Sequence, residues 1–107
     1  MEINKLIFDA HKNAVDHGFW EEWENLKDNR SVHIAFTSQN LMLIVSEIAE
    51  AQEGLRKGNV DNFREELADV AIRLFDLCGG LEIDLETEIS RKMKINADRP
   101  YKHGKEF

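Results

Sequence analysis

Proline occurs once among the 107 residues, at Pro100. Inside a helix a proline removes a backbone donor and clashes with the preceding turn, so the chain before Pro100 contains no obligatory helix breaker. Alternating β-branched residues are also scarce, and apolar residues recur at three- and four-residue spacing instead. The expected architecture is all-α: four to five helices in a bundle, one domain over residues 1–107. The spacing predicts a first helix over residues 2–17, with Ile3, Leu6, Ile7, Ala10, Ala14 and Val15 on one face and Gly18 at its end. The segment FWEEWENLKDNR, residues 19–30, reads as a short second helix or an ordered loop. A third helix is expected from Thr37 or Ser38, whose hydroxyls suit a cap, to Lys57, with Gly58 as the stop. The fourth begins after Asn59 or Asp61 and runs to Cys78, where the Gly79-Gly80 pair ends it. Asp84 caps a fifth that stops near Asp98, because the residue before a proline disfavours helical geometry. Connections this short favour antiparallel neighbours.

A formal net charge of −7 argues against a general nucleic-acid or membrane-surface binder, which needs a cationic field. No cationic start with an apolar centre and no uninterrupted apolar run of about 18 residues is seen, so no membrane partner is expected. The lone cysteine, Cys78, has no intrachain partner and sits in the apolar run AIRLFDLC. It reads as an inert core thiol in a reducing, cytoplasmic setting, with a catalytic nucleophile as the alternative. Charge is uneven along the chain. Residues 91–107 carry Arg91, Lys92, Lys94, Arg99, Lys102 and Lys105 against only Asp98 and Glu106, so the acidity lies in the body.

Within that body SEIAEA and EELADV, residues 46–51 and 65–70, look like copies of each other. Each holds two acids three residues apart, Glu47/Glu50 and Glu66/Asp69. Acidic pairs at this spacing are frequent in so acidic a chain, and residues three apart share a helix face in any case. Placement says more, because LMLIV, residues 41–45, is apolar on every side of its helix and Glu47 follows within a turn. Centring one helix on Ile48 and the next on Leu67 puts both acidic pairs in the same phase, at about −100° and −160° from the apolar centre. In an antiparallel hairpin all four carboxylates then converge. Two readings are open. Either a hard divalent cation with all-oxygen ligation (Mg²⁺, Mn²⁺ or Ca²⁺) relieves the repulsion, or the acids form a solvated face with Glu66–Arg73 and Glu53–Lys57 as surface pairs. Neither pair has the histidine a di-iron bundle would need.

The tail RKMKINADRPYKHGKEF places Lys92, Asn96 and Arg99 on one helix face, with Tyr101, Lys102, His103, Gly104 and Lys105 beyond the proline. Such a stripe suits a polyphosphate, and equally suits a helix C-terminus complementing its dipole. SEIAE, EELAD and K-x-x-x-N-x-x-RP-x-x-HGK together closely resemble the MazG-like nucleotide pyrophosphohydrolases of the all-α NTP pyrophosphatase superfamily, over roughly residues 36–105. The resemblance implies a helical core assembled as a homodimer or homotetramer. It further implies Mg²⁺, with Mn²⁺ also possible, held by Glu47, Glu50, Glu66 and Asp69, and hydrolysis of nucleoside triphosphates to monophosphate and pyrophosphate. Lys92, Asn96 and Arg99 match the family's phosphate-gripping positions, with Lys105 a further candidate and Glu50 the candidate general base. Many members carry another glutamate where this chain has Ser46, so a full second metal site is not implied. Trp20 and Trp23 read either as a stacking face for a nucleobase, with His33 and Asn40 in the same pocket, or as core anchors; His11 and His17 read as surface residues. The alternative function is a non-catalytic acidic helical interaction module that would ignore Mg²⁺ and chelator.

Overall fold

A computed structural model describes residues 2–26 and 28–106. Among them it is all-helical, with α1 (Ile3–Asp16), α2 (Glu21–Asn25), α3 (Arg30–Arg56), α4 (Val60–Gly80) and α5 (Leu85–Ala97), then a 3-10 turn at Tyr101–Gly104. The second helix is present but short, and Lys27 of the segment expected there lies outside the described residues.

The third helix starts about two turns earlier than its sequence suggests. Asn29 is the cap, its side chain accepting from Val32 N at 3.1 Å. Thr37 does not open a helix; its hydroxyl donates back to His33 O at 2.8 Å inside one. The turn between α3 and α4 has the expected chemistry. Gly58 takes φ +71°, with Asn59 N donating to Gly54 O at 2.8 Å and Gly58 N to Leu55 O at 3.1 Å, which closes the last carbonyls of α3. Asn59 then caps α4. The two long helices leave this turn antiparallel and touching, because Gly54 has no side chain: a Cβ there would lie 2.9 Å from Asn62 Nδ2 and 3.2 Å from Phe63 N.

At the far end of α4 the glycines do a different job from the one expected. Gly79 and Gly80 lie inside the helix, and Glu82, with φ 58°, takes the left-handed position that ends it. Ile83 N reaches Cys78 O at 2.9 Å and Glu82 N reaches Gly79 O at 3.2 Å. A glutamate costs about 1 kcal/mol there relative to glycine. The glycines are needed for packing instead: a Cβ on Gly80 would lie 2.0 Å from the Trp20 ring, and one on Gly79 would lie 2.6 Å from His11 Cβ. His11 is accordingly no surface residue, unlike His17, whose ring stays exposed.

Among the described residues five apolar side chains are buried: Ile7, Trp20, Ala51, Leu77 and Cys78. They sit where α1 and the α2 region cover α4 and the α3–α4 contact. Along α3 the half-buried or buried line is His33, Thr37, Asn40, Ile44, Glu47, Ala51 and Gly54; along α4 it is Phe63, Glu66, Val70, Arg73, Leu77 and Gly80. Both lines follow the alternating three- and four-residue spacing of helices packed at a shallow angle. The expected core faces are covered on one side only: Ile44, Ala51, Phe63, Val70, Ala71 and Cys78 are buried or half-buried, while the centres Ile48 and Leu67, about 70–90° from the packing lines, stay open at 52% and 48% exposed. On α3 this open seam runs Ile34, Ser38, Leu41, Val45, Ile48, Gln52 and Leu55.

This seam leaves contiguous apolar surface uncovered along α3. The accessible surface is 8301 Å², whereas a compact monomer of 12.4 kDa exposes about 6,100 Å². The excess of about 2,200 Å² is what each partner loses in a large obligate interface. A radius of gyration of 16.5 Å, against about 13 Å for a compact domain of this length, agrees. We expect a solution mass that is a multiple of 12.4 kDa, and dissociation on Leu41→Lys/Ile48→Lys, measured by sedimentation equilibrium. A monomeric wild type would show that the seam serves another partner. Among the described residues α3 is also long and apolar enough to cross a membrane, at a mean hydropathy of 1.2. Its 16 residues from Ser31 to Ser46 contain no Asp, Glu, Lys or Arg, but His33, Thr37, Ser38, Gln39 and Asn40 interrupt the apolar run.

Helix α5 is held by its first turn. Asp84 caps it through Thr87 N at 3.1 Å and accepts from Asn4 Nδ2 at 2.9 Å, while Ile3 N donates to Glu86 Oε1 at 3.1 Å. The Asn4 and Thr87 donors hold the Asp84 carboxyl below the usual carboxylate range. The rest of α5 is mostly exposed, including Met93 and Ile95.

Candidate metal centre

Glu47, Glu66 and Asp69 meet where α3 and α4 pack, each offering one carboxylate oxygen within 4.8 Å of the others. Antiparallel register brings them together: Glu47 faces α4 from the middle of α3, and Glu66 and Asp69 lie one turn apart opposite it. Glu47 and Glu66 stand in the packing lines themselves, whereas Asp69 is exposed at the margin. Glu50, one turn beyond Glu47, lies near enough to help lower the Glu47 carboxyl and raise that of Glu66. All four sequence-derived acids therefore belong to one cluster, three of them within the tight oxygen set.

The cluster is electrostatically unbalanced. Neighbouring groups favour the charged form of Glu47 and the protonated form of Glu66. The hydrogen bond to Glu47, burial, and the hydrogen bond and charge of Glu50 push the Glu66 carboxyl up to about 7. The Glu47 carboxyl is held below its ordinary value by the hydrogen bond from Glu66 and then by Arg73, whose Nε donates to Glu47 Oε1 at 3.0 Å. Glu66 Oε2 is buried with no hydrogen-bond partner. An oxygen of this kind costs free energy unless a donor or a cation faces it. Oxygen-only donors, an orphaned buried oxygen and a pair that must lose a proton to become fully anionic suit a hard divalent cation.

The sign of the pH dependence follows. Glu66 binds its proton more tightly in the folded chain than in the unfolded one, so the stability it contributes is complete below about 4.5 and is lost as pH rises through about 7. Glu47 contributes the opposite way, with stability present above the carboxylate range and lost as pH falls below it. Between pH about 6 and about 8 only the Glu66 effect operates within this pair. In EDTA the melting temperature is expected to fall across that interval more in wild type than in Glu66→Gln, and Mg²⁺ should abolish the difference. Equal pH slopes in the two proteins would remove Glu66 as the titrating group.

The ion pairs differ from those expected for a solvated face. Arg73 reaches across to Glu47 rather than along α4 to Glu66, and Glu53 pairs with Arg56, not Lys57. Ser46, where many members of the resembled family have a further glutamate, turns its hydroxyl back to Leu43 O.

Further along the same hairpin lies an aromatic nest that the sequence only half disclosed. Trp20 is 3% exposed, its ring against Gly80, 4.9 Å from Phe36 and 5.4 Å from Trp23. Its Nε1 donates to Asp76 Oδ1 at 2.9 Å, and His11 Nδ1 lies 3.0 Å from the same oxygen. Trp20 is thus a core anchor, with both faces already in use. Trp23 stacks on His33 at 3.6 Å and 6°. A cleft beside the nest is lined by Gly18, Phe19, Glu21, Phe36, Gln39, Asn40, Leu43 and Asp76. Asn40 belongs to it, as expected, whereas His33 is taken up by Trp23. Asp69, Arg73 and Asp76 fall at i, i+4 and i+7, so the cleft shares the face of α4 that carries the acids, about 10 Å along the axis. Asp76 and Phe36 were missed; the i+7 relation of Asp76 to Asp69 is the signal that could have found the first.

The basic stripe is elsewhere. Lys92 and Arg99 are exposed on α5, Asn96 is half-buried with Oδ1 unpartnered, and Arg99 contacts His103 at 3.3 Å. Among the described residues no hydrogen bond or ion pair joins Lys92, Asn96, Arg99 or Lys105 to the acids of the same chain. Cys78 is buried, and burial pushes its thiol up, which suits an inert core residue. No family model, curated protein or solved structure matches the chain.

Proposed function

We propose that this protein is a divalent-metal-dependent pyrophosphohydrolase of nucleoside triphosphates, of the MazG-like kind its motifs resemble. The observation that carries the reading is the meeting of one Glu47, one Glu66 and one Asp69 oxygen within 4.8 Å, beside a Glu66 Oε2 that is buried and unpartnered. Glu47, Glu66 and Asp69, with Glu50 beside them, would hold Mg²⁺ or Mn²⁺. Once bound, the cation neutralises phosphate oxygens and lowers the pKa of water. The protein's own residues do the rest. Glu50 is assigned to orient water toward the α-phosphorus and accept its proton as the α–β anhydride bond breaks and pyrophosphate leaves. The cleft of Phe36, Asn40 and Asp76, with the edge of Trp23 near it, is assigned to the nucleoside. Lys92, Asn96, Arg99 and Lys105 are assigned to the leaving pyrophosphate, delivered by a second copy docked on the open apolar seam as a homodimer or homotetramer.

The test is incubation with each common NTP and dNTP in Mg²⁺ and in EDTA, resolving monophosphate, diphosphate, pyrophosphate and phosphate. Monophosphate with equimolar pyrophosphate, only in Mg²⁺, is the expected result. The open seam also supports a second reading, a non-catalytic interaction module. Absence of turnover together with a melting temperature indifferent to Mg²⁺ and EDTA would select it.

A further inference from the structure

Arg73 sits in the α3–α4 packing line, one turn beyond Asp69 and one turn before Asp76. Its Nε is committed to Glu47, the least exposed carboxylate of that ion pair at 13%, while its own side chain is 41% exposed. A guanidinium has five N–H donors in a planar fork, and among the described residues only Nε has a recorded partner. Arg73 therefore stands between the acid cluster and the Phe36–Asp76 cleft with one edge on a carboxylate and the other open. We propose that Arg73 is the internal counter-cation of the acid cluster and a phosphate ligand of the substrate: it holds Glu47 while no divalent cation is present, and turns its fork to a phosphate oxygen when a cation takes that carboxylate.

Charge favours the exchange. A hard cation drawing on the Glu47 carboxylate repels the guanidinium held at Oε1, and the two compete for the same negative charge, so cation binding loosens the Arg73 contact. The released fork is then left about 10 Å or less from both ends of the site, within reach of a phosphate chain carried between cleft and acids. This rests on the pyrophosphohydrolase reading, and its test separates the two.

Arg73→Gln and Arg73→Lys are compared with wild type by calorimetric titration, first with Mn²⁺ alone and then with a non-hydrolysable α,β-methylene dNTP at saturating Mg²⁺. For Arg73→Gln we expect Mn²⁺ to bind about threefold tighter, because the competitor is gone, and the analogue to bind about tenfold more weakly. Arg73→Lys, which keeps the charge and loses the fork, should leave Mn²⁺ near wild type and still weaken the analogue. Opposite signs with metal and with nucleotide are not produced by a merely structural residue. Melting in EDTA checks folding: Arg73→Gln should melt below wild type, with the gap closing in Mn²⁺. Unchanged or weaker Mn²⁺ binding in Arg73→Gln, or an unchanged analogue affinity, would overturn the proposal while leaving the metal site standing. A wild type that binds neither Mn²⁺ nor analogue would overturn the functional reading itself, and this inference with it.

Discussion

Trp20→Ala is expected to lower the unfolding free energy by about 3–5 kcal/mol, which is a large part of the stability of a chain this size. Among the described residues the indole is the one large aromatic that is buried, and it touches α1 through His11, α3 through Phe36 and α4 through Gly80 and Asp76. Its loss leaves a cavity at the meeting point of three helices and withdraws one of the two donors recorded to Asp76 Oδ1. Gly80→Ala probes the same contact from the other side. Helix propensity alone would favour alanine by about 1 kcal/mol. A methyl group 2.0 Å from the ring reverses that, and a net loss of about 1–3 kcal/mol is expected. Urea unfolding of the three proteins at one fixed concentration is the measurement, because association contributes to apparent stability. A stabilised Gly80→Ala would show that the ring is not seated on α4.

If the protein is the proposed pyrophosphohydrolase, Asp69→Asn and Glu66→Gln are expected to reduce Mg²⁺-dependent turnover of dNTPs by about 100-fold or more, since each would remove an oxygen ligand from a cation that neutralises transition-state charge worth several kcal/mol. Neither should lower stability in EDTA. Asp69→Asn removes a like charge from a crowded cluster, and Glu66→Gln keeps the neutral form that Glu66 favours below about pH 7, so unchanged or higher melting temperatures without metal are the expected companions. This combination, activity lost and metal-free stability kept, distinguishes a metal site from a structural polar network. Turnover that survives both substitutions would remove the acids from the chemistry.

Helix content was legible in the sequence because it rests on local causes. Gly18, Asn59 and Asp84 act where capping and turn chemistry place them, and Gly58 ends α3 with a positive φ. Two boundaries were misread for identifiable reasons. Thr37 and Ser38 have cap-forming hydroxyls, but the helix was already nucleated at Asn29, and the Thr37 hydroxyl found the backbone four residues back. Gly79 and Gly80 look like a stop signal, yet their missing side chains accommodate His11 and Trp20, and Glu82 takes the left-handed turn instead. A single strand of text does not say which partner a glycine is making room for.

The common phase of the two acidic motifs was also readable, since it follows from 3.6 residues per turn and a short connection. Their depth was not. Periodicity points to the most apolar face of each helix, and that face was assigned to the core. In the folded chain the hairpin closes toward one edge of that face, through Gly54, Ala51 and Leu77, so Ile44, Phe63, Val70 and Cys78 are covered while its centres Ile48 and Leu67 are left open. By itself, then, the sequence determined that the protein is helical, where most helices begin and end, and that four acids share one side of a hairpin. Only the tertiary structure decided that Glu47 and Glu66 lie inside the packing seam with one Glu66 oxygen orphaned, that Arg73 answers Glu47 rather than Glu66, and that Trp20 is an anchor. The physical reason is that helix formation and phase depend on neighbours within a turn or two, whereas burial depends on which face each helix presents to partners distant in sequence.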